Sequence, residues 1–282
     1  MGLTIKELLP VGEKILEDAG VEDYKTNAEA LFCFVAGFDR KELFMNQDRE
    51  ASDTEKEEWL SLINRRADGE PLQYITGEQY FMGHRFSVDF SVLIPRPETE
   101  LLAEKAIGYI HADNRVKTVL DLCTGSGVIA ISLAIACPRA KITASDISHG
   151  AIAVAVQNAA ALEVSDRIAF VLSNLFSSLT GRTFDLIVTN PPYIKTADLR
   201  NLAREIKDHE PLSALDGGSD GLDFYRRIAV RVRGFMSPGA CLMAEIGENQ
   251  AEDVSNIFTG AGFASVKVSQ DLNGLDRILT VF

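Results

Sequence analysis

The chain has 282 residues and a mass of 30.8 kDa, with 46% hydrophobic and 24% charged residues and a mean hydropathy of +0.03. That balance excludes a mainly disordered chain, and no apolar run approaches the ~18 residues needed to cross a membrane. Twenty-eight Lys and Arg against 41 Asp and Glu give a net charge of −13, which argues against nucleic-acid binding, since that affinity comes mostly from neutralised phosphates.

The acid is uneven: residues 1–75 carry 17 Asp and Glu but only 9 Lys and Arg. Such a surface is either solvated helix or a docking face for a basic partner. The same stretch predicts short helices. Thr4 with Glu7, Thr26 with Glu29, Asp39 with Glu42 and Ser52 with Glu55 each pair a capping residue with a glutamate three positions on. Pro10 is expected to kink or split the first helix, and Gly20 and Gly37 are placed as C-terminal stops. A helical bundle over 1–72 is followed by an aromatic, glycine-punctuated stretch, 73–95, which reads as a β-hairpin linker. A helix is expected over about residues 98–112.

From residue 117 onward strands and helices alternate. Strand runs are expected at 118–122, 141–145, 168–172, 184–189, 240–246, 264–268 and 278–282, with helices at 128–136, 148–162, 221–235 and 249–259. This predicts an α/β domain over 96–282 with a mostly parallel sheet covered on both faces.

The first strand, Val119-Leu120-Asp121-Leu122, runs into Cys123-Thr124-Gly125-Ser126-Gly127 and then a helix. Glycines let a backbone approach a ligand closely, and the helix N-terminus offers free N–H donors. Asp146 ends the next strand, where its carboxylate can accept from both ribose hydroxyls. These features fit any nucleoside cofactor at the carboxyl ends of parallel strands, a dinucleotide included. Asp121 resembles the acidic residue before the glycine turn in S-adenosylmethionine enzymes.

The strand Asp185–Thr189 ends in Asn190-Pro191-Pro192-Tyr193. Two prolines stiffen the backbone and remove two donors, so the Asn190 side-chain oxygen and the Pro191 carbonyl are two acceptors for one –NH2 group beside the flat Tyr193 ring. That suits methylation of a conjugated nitrogen. Its lone pair is delocalised, positive charge develops on it as it attacks a sulfonium methyl group, and N–H bonds to fixed acceptors stabilise that charge.

The tetrapeptide downstream of Asp121–Gly127 resembles the amino-methyltransferases of planar –NH2 groups. One branch matches nearly the whole chain, the HemK/PrmC-type release factor glutamine methyltransferases. The residues that carry this are Pro71–Gly77, Leu93-Ile94-Pro95-Arg96-Pro97-Glu98-Thr99-Glu100, Ala214–Gly218 and Glu245-Ile246-Gly247. The resemblance implies a Rossmann-like fold that transfers a methyl group from S-adenosyl-L-methionine, yielding S-adenosyl-L-homocysteine, to the side-chain amide of the glutamine in the Gly-Gly-Gln motif of class I peptide chain release factors. It further implies that Cys123, Thr124, Gly125, Ser126 and Gly127 wrap the methionine part. Asp146 would hold the ribose, Asn174 and Leu175 would lie by the adenine, and Asn190 would touch both cofactor and substrate. Asn190, Pro191, Pro192 and Tyr193 would bind the glutamine. A cytoplasmic monomer without nucleic-acid or membrane partners is expected. A DNA adenine N6-methyltransferase and a non-catalytic S-adenosylmethionine-binding adaptor are the alternatives.

Two positions depart from the family pattern. Cys123 stands where glycine is frequent, and Ser173-Asn174-Leu175-Phe176 replaces a more usual Asp and aromatic pair. Arg96, Glu98 and Thr99 either line the cleft or fix the domain angle, and the structural role is favoured. The cysteines Cys33, Cys123, Cys137 and Cys241 and the four histidines show no ligand spacing, so neither a metal nor a disulfide framework is expected. Asp216–Gly221 lacks the spacing of a calcium loop and reads as a flexible loop at the site's rim.

Overall fold

A computed structural model describes residues 2–282. The chain forms two compact units. The first holds the residues up to Gly77 together with Ala203–His209, and the second holds Glu78–Leu202 and Glu210–Phe282. Among the described residues no helix is long and apolar enough to cross a membrane.

The first unit contains α1 (Ile5–Asp18), α2 (Tyr24–Ala36), α3 (Arg40–Met45), α4 (Asp53–Ala67) and α5 (Leu72–Thr76). Two of the predicted capping boxes close in full: Asp39 and Ser52 each exchange hydrogen bonds with the glutamate three residues on. The Glu7 carboxylate accepts from the Thr4 backbone and hydroxyl. Thr26 caps nothing, because α2 already starts at Tyr24, after Asp23 in a left-handed conformation. Nor does Pro10 split α1. Both Pro10 and Lys6, whose carbonyl loses its helical partner, are exposed, so the orphan group lies where solvent can reach it. Residues 72–76 are helix, not hairpin. Pro71 presets the first turn and Gly77 adopts φ 72° at the C-cap, and these end signals outweigh the aromatic β-prone composition.

The core of this unit is built on Trp59 of α4, which is fully buried. Its Nε1 donates to the Ala28 carbonyl of α2 at 3.0 Å, and its ring meets Phe32 edge-on at 6.0 Å. The segment around α9 (Arg204–His209) joins this unit through Arg66 of α4, whose guanidinium bonds both Asn27 and Glu205.

The second unit opens with the hairpin β1 (Glu78–Phe81) and β2 (His84–Ser87). Met82 and Gly83 link them at φ 50° and 76°, the positive values a two-residue primed turn requires. After α6 (Pro97–Ala112) come β3 (Thr118–Leu122), α7 (Val128–Ala136), β4 (Lys141–Asp146), α8 (His149–Ala161), β5 (Ile168–Leu172) and β6 (Phe184–Thr189). The chain continues through α10 (Asp223–Arg231), β7 (Met236–Glu245), α11 (Ala251–Gly260), β8 (Val266–Gln270) and β9 (Asp276–Val281). Seven strands pair in the order β5-β4-β3-β6-β7-β9-β8, the first five parallel to one another and the last two antiparallel additions.

Alternating residues serve opposite faces. Val119, Leu186, Val188 and Met243 pack with α6 and α7, whereas Leu120, Leu122, Ile187 and Leu242 pack with α10 and α11. The last two strands, β8 and β9, start two residues from where the sequence places them. β8 is half exposed, so its hydrophobic pattern pins its ends weakly.

Gly12 tests the packing of the helical unit. A Cβ there would sit 2.5 Å from the Trp59 ring, which its hydrogen bond and full burial hold in place. Alanine gains about 1 kcal/mol of helix propensity, but overpacking costs about 1–3 kcal/mol. Gly12→Ala therefore lowers the stability of this unit in denaturant titration, and an unchanged or raised midpoint would show that the contact is not tight.

Candidate active site

The strand order reverses direction between β3 and β6. A crevice opens there beyond the carboxyl ends of the strands, a cleft of about 410 Å³. The ends of β3, β4, β6 and β7 deliver Cys123, Asp146, Asn190 and Glu245 to this region within one sheet. Register makes this possible: Leu122 pairs with Thr189 and with Ser145, and the Thr189 hydroxyl donates to the Leu122 carbonyl at 2.7 Å.

Cys123, Thr124, Gly125, Ser126, Asp146, Asn174, Leu175, Asn190 and Pro192 line the cleft. Asp121, Gly127, Pro191 and Tyr193 do not, and form a layer behind it. Gly127 is needed for packing, since at φ 85° a Cβ would press to 3.0 Å from Ala155 of α8. Asp121 is fully buried, and its Oδ2 accepts from the Thr124 hydroxyl at 2.6 Å and the Ala130 N–H at 3.0 Å. Its Oδ1 has no partner, and burial raises its pKa to about 7. Asp146 accepts from the N–H groups of Gly125 and Ser148 at 3.0 and 2.9 Å, and burial raises its pKa too.

Cys123 adopts φ 65°, the left-handed region that favours glycine, which accounts for glycine being frequent at this place in the pattern. Burial pushes its thiol well up, and Asp146 and Asp121 add to this. Asn174 has its side-chain oxygen engaged by the Arg227 guanidinium at 2.5 Å, and Arg227 also lies over the Phe224 ring. Leu175 beside it is buried at φ 50°.

Asn190 donates from Nδ2 to the Thr99 hydroxyl at 3.1 Å, leaving Oδ1 as the remaining acceptor of its amide. Thr99 lines the cleft and donates in turn to Glu245 Oε2 at 2.7 Å. Tyr193 turns its hydroxyl toward Glu245 Oε1 at 3.4 Å. Burial raises the Glu245 pKa to about 7, partly opposed by the Thr99 hydrogen bond and the Arg277 charge. Asp216 also lines the cleft, and its loop is pinned by the Thr196 hydroxyl and by a bridge from Asp216 to Ile194. Among the described residues no group of His, Cys, Asp and Glu is arranged to hold a metal ion.

Several site residues escape the sequence reading. Thr99 and Arg96 line the cleft, the less favoured of the two roles that the sequence leaves open for them. Asn158 of α8, almost fully buried, bonds the Ser87 backbone and the Ser126 carbonyl, so it braces the glycine turn against the hairpin. Glu210, also buried, accepts from the Ile94 N–H and pairs with Arg96, which fixes the segment leading into α6. A motif flags Thr99 and Arg96, but no local signal marks Asn158, Glu210 or Arg227.

Comparison with known proteins places the chain. The PrmC N-terminal domain matches residues 7–77 and the methyltransferase small domain matches residues 99–209. The release factor glutamine methyltransferase of Geobacter sulfurreducens is 42% identical over 276 residues, covering 98% of this chain and 95% of that protein. That of Clostridium acetobutylicum is 37% identical and covers 98% of each. Among solved structures, a ribosomal protein L11 methylase from Lactobacillus delbrueckii subsp. bulgaricus shares the fold. Its TM-score is 0.51 at 20% identity, over 69% of this chain and 83% of that one.

The raised thiol has a direct check. A protonated thiol is a poor nucleophile, so iodoacetamide at neutral pH should leave Cys123 unlabelled in the folded protein over a time that fully labels the denatured chain. Labelling of folded Cys123 at the rate of a free thiol would contradict its placement.

Proposed function

The chain belongs to the release factor glutamine methyltransferase family, and from that premise we propose how its site performs the reaction. It is an S-adenosylmethionine-dependent enzyme that methylates the side-chain amide nitrogen of a release factor glutamine. We place that glutamine in the Gly-Gly-Gln motif of class I release factors, which puts the enzyme where those factors work, in the cytoplasm. The observation that carries the assignment is the Asn190 amide at the switch point, with its NH2 end committed to Thr99 and its oxygen left as acceptor.

The residues present fit the cofactor. Asp121 has a buried, unpartnered carboxylate oxygen, and Asp146, partly buried at the end of β4, is a second carboxylate that holds the same glycine turn through the Gly125 N–H. Two desolvated acids are costly alone and are stabilised by a cation. Cys123 to Ser126 would hold the methionine part, Asp146 the ribose, and Asn174 with Leu175 the adenine, while Asp121 and Gly127 shape the turn from behind. S-adenosylmethionine supplies an electrophilic methyl group on a cationic sulfur.

The protein supplies alignment and charge stabilisation. Asn190 Oδ1, on the cleft wall, accepts an N–H bond of the substrate amide, while Pro191, behind that wall, stiffens the backbone that carries it. As the nitrogen attacks and becomes positive, that bond strengthens, which lowers the barrier. The proton that the nitrogen sheds needs no strong base, because an N-protonated amide is a strong acid.

The experiment is transfer of labelled methyl from S-adenosylmethionine to an unmodified release factor. Label should reside on the Gly-Gly-Gln glutamine, and label that survives replacement of that glutamine would overturn the reading. Asn190→Ala should lower turnover by about 100-fold or more while cofactor binding persists in calorimetry. A fall in cofactor affinity that accounts for the whole loss would remove Asn190 from the chemistry.

Cofactor affinity should also depend on pH. A cation favours ionised Asp121, whose pKa is raised to about 7, so protonation opposes binding. Affinity therefore weakens as pH falls below 7, by about tenfold per pH unit if only the ionised form binds, and levels off above. Calorimetry at pH 6 and pH 8 reads this, and equal affinities would show that Asp121 does not sense the cofactor's charge.

A further inference from the structure

Asparagine carries an acceptor and a donor on nearly identical ends, so its amide is useful only if something decides which end faces the substrate. Here three elements converge on that decision. Thr99, 4% exposed, sits in the first turn of α6. Asn190 follows β6, and Glu245, 1% exposed, closes β7. The Thr99 hydroxyl has one proton. Directed at Glu245 Oε2 at 2.7 Å, that proton is committed to a group that, when ionised, only accepts. The Thr99 oxygen can then only accept from Asn190, and Nδ2 meets it at 3.1 Å. Reversing the Asn190 amide would set two oxygens face to face.

The far end of the chain is equally fixed. Glu245 Oε1 faces the Tyr193 hydroxyl at 3.4 Å, and the Glu245 backbone carbonyl accepts from the buried Tyr225 hydroxyl at 2.8 Å. Arg277 favours the ionised carboxylate, while Glu98 and burial oppose it.

We propose that Glu245 and Thr99 are positioning residues: acting through a one-way chain of hydrogen bonds, they turn the Asn190 oxygen toward the substrate –NH2 group. The proposal rests on the reading of Asn190 as the amide-binding group. It gives a buried carboxylate, expensive in itself, a role in the reaction without contact with substrate.

Thr99→Val keeps the volume and removes the hydroxyl, and Thr99→Ser keeps the hydroxyl. At saturating S-adenosylmethionine, T99V should lower kcat about 10- to 100-fold with unchanged cofactor affinity and a retained melting transition. T99S should stay within about threefold of the parent. Glu245→Gln is isosteric but can donate to Thr99, so both amide directions become available and kcat should fall to an intermediate value. Independently of turnover, the Asn190 side-chain NH2 protons should exchange slowly in the parent and in T99S and fast in T99V, read by nitrogen-resolved NMR. Equal rates in T99V and T99S, whether both normal or both reduced, would overturn the proposal, as would unchanged exchange in T99V. If the parent transfers no methyl to a release factor, the function assigned above fails, and the exchange measurement still decides the positioning role.

Discussion

The alignment of β3 with β6 is the constraint from which the site follows. Leu122 and Thr189 sit in register and are tied by the Thr189 hydroxyl, so the turn after one strand and the tetrapeptide after the other leave the sheet side by side. One connection then swings toward β4 and the other toward β7, and the space between them is the cleft. A one-residue slip would turn Asp121 away from α7 and send Val188 to the wrong face. The buried pairs Val119 with Leu186 and Leu120 with Ile187 prevent that slip.

On this frame, polar groups are buried at a cost and for a purpose. Asp121, Asp146 and Glu245 all lie at or near strand ends, and burial raises the pKa of each. Two of them face a turn suited to a cationic cofactor. The third acts through Thr99 on the amide at the centre of the site. The same desolvation that makes them expensive makes their directional effects strong, because little water competes for the hydrogen bonds.

The central strands were legible in the sequence because they are buried on both faces. The runs 118–122 and 184–189 match β3 and β6 to the residue, and 168–172 matches the half-exposed edge strand β5. The glycine turn, Asp146 and Asn190–Tyr193 were legible because each bears its chemistry locally. What escaped depends on long-range partners. Arg66 recruits Glu205 from 139 residues away, so α9 joins the first unit. Thr99 meets Glu245 from 146 residues away, and no spacing rule reports that. Local misreadings have local causes: at residues 72–76 the end signals of Pro71 and Gly77 outweighed composition, and at Pro10 exposure made a missing hydrogen bond tolerable.

The central claim is that the site reads an –NH2 group through a fixed acceptor, the Asn190 oxygen. Competition between two short peptides, one ending its loop in Gly-Gly-Gln and one in the isosteric Gly-Gly-Glu, tests it most directly in the presence of S-adenosylhomocysteine. A carboxylate offers no N–H and would face the Asn190 oxygen with a charge, so the account predicts that the glutamine peptide binds at least about 100-fold more tightly. Equal affinity for the two peptides would contradict it.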